Sequence, residues 1–168
     1  KALSLNAQNT NTLNQALALD LLGIQYVPIP AYRGLKEVET AILQNIGQLA
    51  NSSLSGWSGS VEPTLGQVVI PLWQLSPRKN GRYPRSQALP NLQTFEEFYG
   101  TIHPSKPLAG NFTYEALRAV SDPQLAMFRV ALMPPKTSGE TVAIMRAAFV
   151  AMWKSPQFLA DYSKVIKT

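Results

Sequence analysis

Two consecutive units, each an apolar stretch, a polar turn and a glycine-terminated amphipathic stretch, open this chain and restrict its fold more than any other feature. In the first, Lys1 to Ala7 alternates side-chain character along a short strand. Gln8-Asn9-Thr10-Asn11-Thr12 follows as a polar loop. Leu13, Ala16, Leu17, Leu19, Leu21 and Leu22 then recur at helical spacing, with Asn and Thr available as N-caps and Gly23 as terminator. In the second, Ile24 to Ile29 is a β-branched apolar strand and Pro30-Ala31-Tyr32-Arg33-Gly34 a turn. Leu35 to Asn45 carries Val38, Ala41, Ile42 and Leu43 on or near one face, with Gly47 as the stop. Leu49 to Leu54 reads as a third short strand. Strands alternating with helices argue an α/β architecture.

The rest of the chain is less regular. Ser55 to Ser60 is loop-like, and a short helix is expected near Glu62-Pro63. Gln67 to Leu75 reads as a strand through Val68, Val69, Ile70, Leu72, Trp73 and Leu75. Ser76 to Pro90 is expected as an exposed loop. Thr94 caps a helix beginning Phe95-Glu96-Glu97. Tyr114 to Met133 is mostly apolar, with a break at Ser121-Asp122-Pro123 where Pro123 reads as a helix start. Thr137 and Glu140 have the spacing of a capping box. Val142, Ile144, Met145, Ala148, Phe149 and Met152 then trace an amphipathic helix. Ser155-Pro156 begins a final helix ending near Ile166. The front two-thirds, residues 1–110, is read as one α/β lobe and residues 111–168 as a helical tail.

Composition narrows the function classes. Of 168 residues, 45% are apolar and 15% charged, which argues against global disorder. No apolar run reaches the roughly 20 residues a bilayer-spanning helix needs. With no cysteine, disulfides, thiolate catalysis and Cys-based zinc sites are excluded. The net charge of +5 favours anionic ligands, though a solubility balance would give the same value. The basic residues are scattered apart from Arg78, Lys79, Arg82 and Arg85, so nucleic-acid binding is not expected. The opening Lys-Ala-Leu-Ser-Leu leads us to expect a processed protein or a fragment.

Enzyme constellations are weak. The single histidine, His103, sits in a Pro-containing loop and reads as solvated. Glu96 and Glu97 are neighbours, which diverge on a helix, and they read as a solvated first turn. No nucleotide-binding glycine motif, nucleophile–base pairing or metal-ligand cluster is present, and no cofactor is expected.

Binding signals are better. Asn9, Thr10, Asn11 and Thr12 lie between a strand and a helix, where unpaired backbone N–H groups and neutral side-chain donors suit a carboxylate or phosphate; plain N-capping is the simpler reading. Tyr32, Arg33 and Gly34 form a second such turn, in which Arg33 is able to pair with a carboxylate or to stand in solvent. In Asn51 to Trp57, Ser55 and Trp57 place hydroxyls beside an indole, as a polar pocket with one apolar wall would, or as a glycine-serine loop with a core Trp would. All three segments follow expected strands, where open α/β sheets bind their ligands.

The order of motifs resembles the receptor family of tripartite tricarboxylate transporters. The resemblance rests on Ile29-Pro30-Ala31-Tyr32-Arg33-Gly34 with Gly47-Gln48-Leu49, on Leu89-Pro90-Asn91-Leu92 with Thr94-Phe95-Glu96-Glu97, and on a tail of Met133-Pro134-Pro135-Lys136-Thr137, Ile144-Met145-Arg146-Ala147-Ala148-Phe149 and Lys154-Ser155-Pro156-Gln157-Phe158-Leu159. It implies the second lobe of a type II periplasmic-binding-protein fold, with a C-terminal helical segment that would pack on a first lobe absent from this sequence. It further implies a non-enzymatic, periplasmic protein that captures a small organic carboxylate and hands it to membrane permease subunits. The ligand contacts carry over onto Asn9 to Thr12, Tyr32 and Gly34. Gln48 and Ala50 replace acidic residues of the family pattern, which points to a different ligand preference. A lone lobe would also self-associate. Two other classes stay open: a sensory or protein-interaction module on the same fold, and an α/β enzyme, which would need a base that the sequence does not supply.

Overall fold

The computed structural model describes residues 1–127 and 130–166. Strands β1 (Ala2–Ser4), β2 (Pro28–Pro30) and β3 (Leu49–Ala50) form one parallel sheet in the order β2-β1-β3, with Leu3 opposite both Ile29 and Ala50. All three are shorter than the sequence pattern suggests. For β2 the reason is local: Pro28 and Pro30 have no N–H to donate, which confines the segment to a brief edge strand. All three residues of β1 are buried, which means both of its faces are covered.

The helices that join these strands, α1 (Thr10–Leu21) and α2 (Leu35–Leu43), carry the chain first to one side of β1 and then across it to the other. Right-handed crossovers therefore put them on opposite faces of the sheet. Leu3 packs with Val38 and Ala41 of α2. Ala18 and Leu22, at the end of α1, pack with Phe95 and Tyr99 of α5 (Phe95–Ile102) and Leu117 of α6 (Phe112–Ala126). Gly23 ends α1 as expected, at φ +69° and with Ile24 N–H returned to Leu19 O. The stop of α2 is different: Asn45, at φ +56°, takes the left-handed position. Gly47 serves another purpose, since a Cβ there would lie 2.5 Å from the buried Leu3 side chain.

Several expectations are corrected. Gln67 to Leu75 is not a strand. Pro71 interrupts it, Ile70 is 80% exposed, and only Gln74 makes an isolated bridge, to Thr94; without a neighbouring strand the ladder has no partner. Ser76 to Pro90 is largely exposed but firmly tied. The buried Gln74 amide donates to Leu89 O (2.9 Å) and Leu92 O (2.6 Å) and accepts from Ser86 N–H (2.9 Å). The short helix near Glu62 is the end of a longer turn: α3 (Leu54–Gly56), a π-helical turn (Trp57–Val61) and α4 (Glu62–Leu65). Asp122-Pro123 starts nothing, because α6 runs through it with Pro123 inside.

In the region after α6, Phe128 and Arg129, part of the apolar run expected up to Met133, lie outside the described residues, as do Lys167 and Thr168. The expected box of Thr137 and Glu140 is replaced by Ser138, whose hydroxyl accepts from Thr141 N–H at 3.1 Å and caps α7 (Gly139–Met152). Thr137 instead donates to Pro134 O. The final helix is α8 (Pro156–Ile166). Of the segment read as a tail, α6 packs on α1 within the core, whereas α7 has no buried residue at all.

Candidate functional site

The three segments singled out by sequence follow the carboxyl ends of β1, β2 and β3 in one parallel sheet, and the structure links them. Asn51, just after β3, donates its side-chain N–H to the Asn11 backbone carbonyl in the first turn of α1 (3.3 Å). This contact spans the β1/β3 boundary, where the direction of chain progression reverses. In open α/β sheets such a switch point leaves a crevice at the carboxyl ends of the strands. Lys36, in the first turn of α2, donates to Ser60 Oγ. A side chain at Gly56 would meet Leu35 at 2.8 Å, which shows how closely the α3 turn approaches the start of α2.

The two helix N-termini differ in chemistry. Glu37 stands in the first turn of α2, and its carboxylate accepts from Arg33 N–H at 2.9 Å. An acid already occupies that end. The first turn of α1 has no acidic residue. Its cap, Asn9, accepts from Asn11 N–H at 2.9 Å, which satisfies one of the four first-turn donors. Thr12 donates its hydroxyl to Asn6 O and is thereby engaged within the loop. Asn11 Oδ1 accepts from Gln124 Nε2 (3.0 Å), while Gln124 Oε1 takes a bond from Asn14 (3.1 Å). The relay from α6 fixes the Asn11 amide with Nδ2 as the end left to donate.

Of the remaining candidates, Tyr32 packs against the Leu3–Val38–Ala41 cluster, which gives its ring a structural task. Arg33 is exposed, and Gly34 caps α2 in extended backbone. Ser55 Oγ lies 3.2 Å from Ser53 Oγ. Trp57 Nε1 is buried with no acceptor among the described residues. It is an unmatched donor on the turn that follows β3.

A second polar constellation escaped sequence reasoning. Arg118 of α6, a buried residue, pairs with Glu96 and lies 3.6 Å from Asp122, and its guanidinium sits 3.4 Å above the Tyr83 ring. Tyr114 donates to Glu96 (2.7 Å) and Tyr83 to Asp122 (2.9 Å). Burial works against the Arg118 charge, but the Glu96 hydrogen bond and carboxylate outweigh it and hold the guanidinium protonated. Burial, then the bonds to Asp122 and Glu96, push both phenols above their ordinary range. Glu96 is thus a core-edge partner and not the solvated residue expected. Tyr83, Tyr114, Arg118 and Asp122 line an open hollow of about 620 Å³ together with Arg78 and Glu115. One guanidinium is matched by two carboxylates, so the arrangement locks α5, α6 and the Tyr83 loop together. The available sequence signal was Tyr114, Arg118 and Asp122, spaced four apart on one helix face.

His103 also differs from expectation. It caps the end of α5, its ring lies 4.8 Å from that of Tyr99, and Nε2 is buried without a partner among the described residues. Among the described residues no group of three or more His, Asp or Glu is placed to hold a metal, and no helix is long and apolar enough to cross a membrane. No family model, curated protein or solved structure matches this chain.

Proposed function

We propose that this chain is the ligand-binding lobe of an extracytoplasmic solute-binding protein that captures a small organic carboxylate at the N-terminus of α1, for delivery to permease subunits of a tripartite tricarboxylate transporter. The observation that carries this reading is the convergence of the β1 and β3 ends at a topological switch, bridged by Asn51 and Asn11. The electrostatics favour α1 over α2, because α1 presents helix-dipole charge and neutral donors with no acid of its own, whereas Glu37 already answers the N-terminus of α2. The type II periplasmic-binding-protein architecture is part of the proposal and rests on the motif resemblance; the strand order β2-β1-β3 is compatible with it. A sensory or protein-interaction module on the same fold is the second reading, favoured by large exposed apolar side chains such as Ile70, Leu132 and Ile144.

The test is thermal unfolding with a panel of mono-, di- and tricarboxylates. A ligand at about 100 times its dissociation constant stabilises the native state by roughly 2.7 kcal/mol. Thr10→Glu is the diagnostic variant. An acid in the first turn suits the helix dipole, so folding is retained, while it competes with an anion for the same donors. A shift with one carboxylate class that Thr10→Glu abolishes supports capture at α1. A shift that Thr10→Glu leaves intact moves the site elsewhere, and no shift with any carboxylate overturns the reading.

A further inference from the structure

Helix α7 is largely apolar, with only Glu140 and Arg146 charged, yet none of its residues is fully buried, a combination that a stable surface helix does not sustain alone. One side, through Val142 and Met152, is partly covered, and beyond its C-terminus Trp153 packs on Phe158 and Tyr162 of α8 with ring separations of 5.2 and 5.1 Å. The other side is a separate stripe: Glu140, Ile144, Ala147, Ala151 and, one turn on, Lys154, flanked by Ala143 and Val150. Every one of these residues is exposed, Ile144 at 61% and Val150 at 56%. Their alternating steps of four and three follow the seam of a two-helix pair.

The stripe is complementary to itself. Laid antiparallel on a second copy with Ala147 on the two-fold axis, Glu140 meets Lys154, Ile144 meets Val150 and Ala143 meets Ala151, each pair occurring twice by symmetry. The small residues at the centre allow close approach of the two backbones. The chain as a whole also leaves ample surface to be covered. The chain exposes 11399 Å², against about 8,000 Å² for a compact monomer of 18.4 kDa. The surplus exceeds the roughly 800 Å² per partner that a standard interface covers.

We infer that α7 pairs antiparallel with α7 of a second copy of this chain, in register about Ala147 and with Glu140 facing Lys154 of the other protomer. Sedimentation equilibrium on the full chain tests this through three variants. The wild type is expected to be a concentration-dependent dimer. Glu140→Lys and Lys154→Glu each turn two attractions into two repulsions and raise the dissociation constant roughly tenfold or more. Glu140→Lys/Lys154→Glu restores it towards the wild-type value. Circular dichroism checks that these exposed substitutions leave the fold unchanged. A wild type that stays monomeric at high concentration overturns the inference. So does a dimer indifferent to the single changes, or one that the double change fails to rescue. Carboxylate binding at α1 is read separately, so neither result decides the other.

Discussion

The body built from β1–β3, α1, α2, α5 and α6 and the C-terminal segment of α7 and α8 are both rich in apolar residues, yet they use them in opposite ways. In the body, Leu3, Leu19, Phe95 and Leu117 are essentially free of solvent contact, and each helix faces a partner. In the C-terminal segment, Ile144, Phe149, Val150 and Trp153 are all more than 40% exposed. Apolar content therefore does not locate a core. Residues are buried where the backbone supplies a second layer, and the C-terminal segment has only its own three aromatic rings to offer.

The sharpest way to break this contrast is to truncate one phenylalanine on each side. Phe95→Ala should cost about 3–5 kcal/mol in urea unfolding, through lost burial and a residual cavity. Phe149→Ala should cost under about 1 kcal/mol, because much of its ring already meets water. Equal losses would mean that the C-terminal segment is as integral as the body.

Next in size is the lock between α5 and α6. Arg118→Met should cost about 2–3 kcal/mol, less than a fully buried pair, because the Glu96 and Asp122 side chains keep 22% and 30% exposure. Adding Glu96→Gln should recover part of that loss, a non-additivity that a double-mutant cycle reads directly. The same cluster sets an alkaline limit. Tyr83 and Tyr114 have folded-state pKa values raised above 10.0, by burial first and then by their carboxylate bonds. Their contribution is full below pH 10.0 and is lost as the pH rises through the raised values. Urea unfolding across alkaline pH should show that fall flattened in Tyr114→Phe.

A smaller effect belongs to the α5 capping box, in which Thr94 accepts from Glu97 N–H and Glu97 accepts from Thr94 N–H. Thr94→Ala should cost about 1 kcal/mol. The Arg85 hydrogen bond, then the Thr94 N–H, hold Glu97 below its ordinary pKa of 4.5. Its contribution is present above that value and fades as the pH falls through the lowered one, so acid unfolding of Glu97→Gln should begin from a flatter baseline. Smallest of all, Ile144→Ser should change the unfolding free energy by less than about 0.5 kcal/mol at low protein concentration, where α7 stands alone.

Local signals were legible where they act over a few residues. Asn9 before α1, Gly23 after it and Thr94 before α5 all take the roles their chemistry suggests. The same rules failed where a longer-range term intervened. Val68 to Leu75 has strand composition, but no neighbouring strand pairs with it. Pro123 looks like a helix start, yet the preceding turn of α6 is held by Arg118, Tyr83 and Glu96, so the helix continues through it. Of the candidate site, the three strand-end segments could be found in sequence, because strand–turn–helix order dictates where they emerge. Of the Arg118 cluster only the Tyr114–Arg118–Asp122 face of α6 could, since the other partners, Glu96 and Tyr83, lie 22 and 35 positions away and nothing local marks them as neighbours.

By itself, then, the sequence determined the opening alternation of strands and helices, the caps of α1 and α5, and the polar turn that opens α1, all consequences of backbone sterics and side-chain chemistry within one or two turns. Only the tertiary structure decided that β1 lies between β2 and β3, that Asn51 reaches Asn11, that Arg118 finds two carboxylates, and that α7 is left without cover. Those outcomes depend on which distant surfaces bury one another, and burial is a property of the assembled layers and not of any segment read alone.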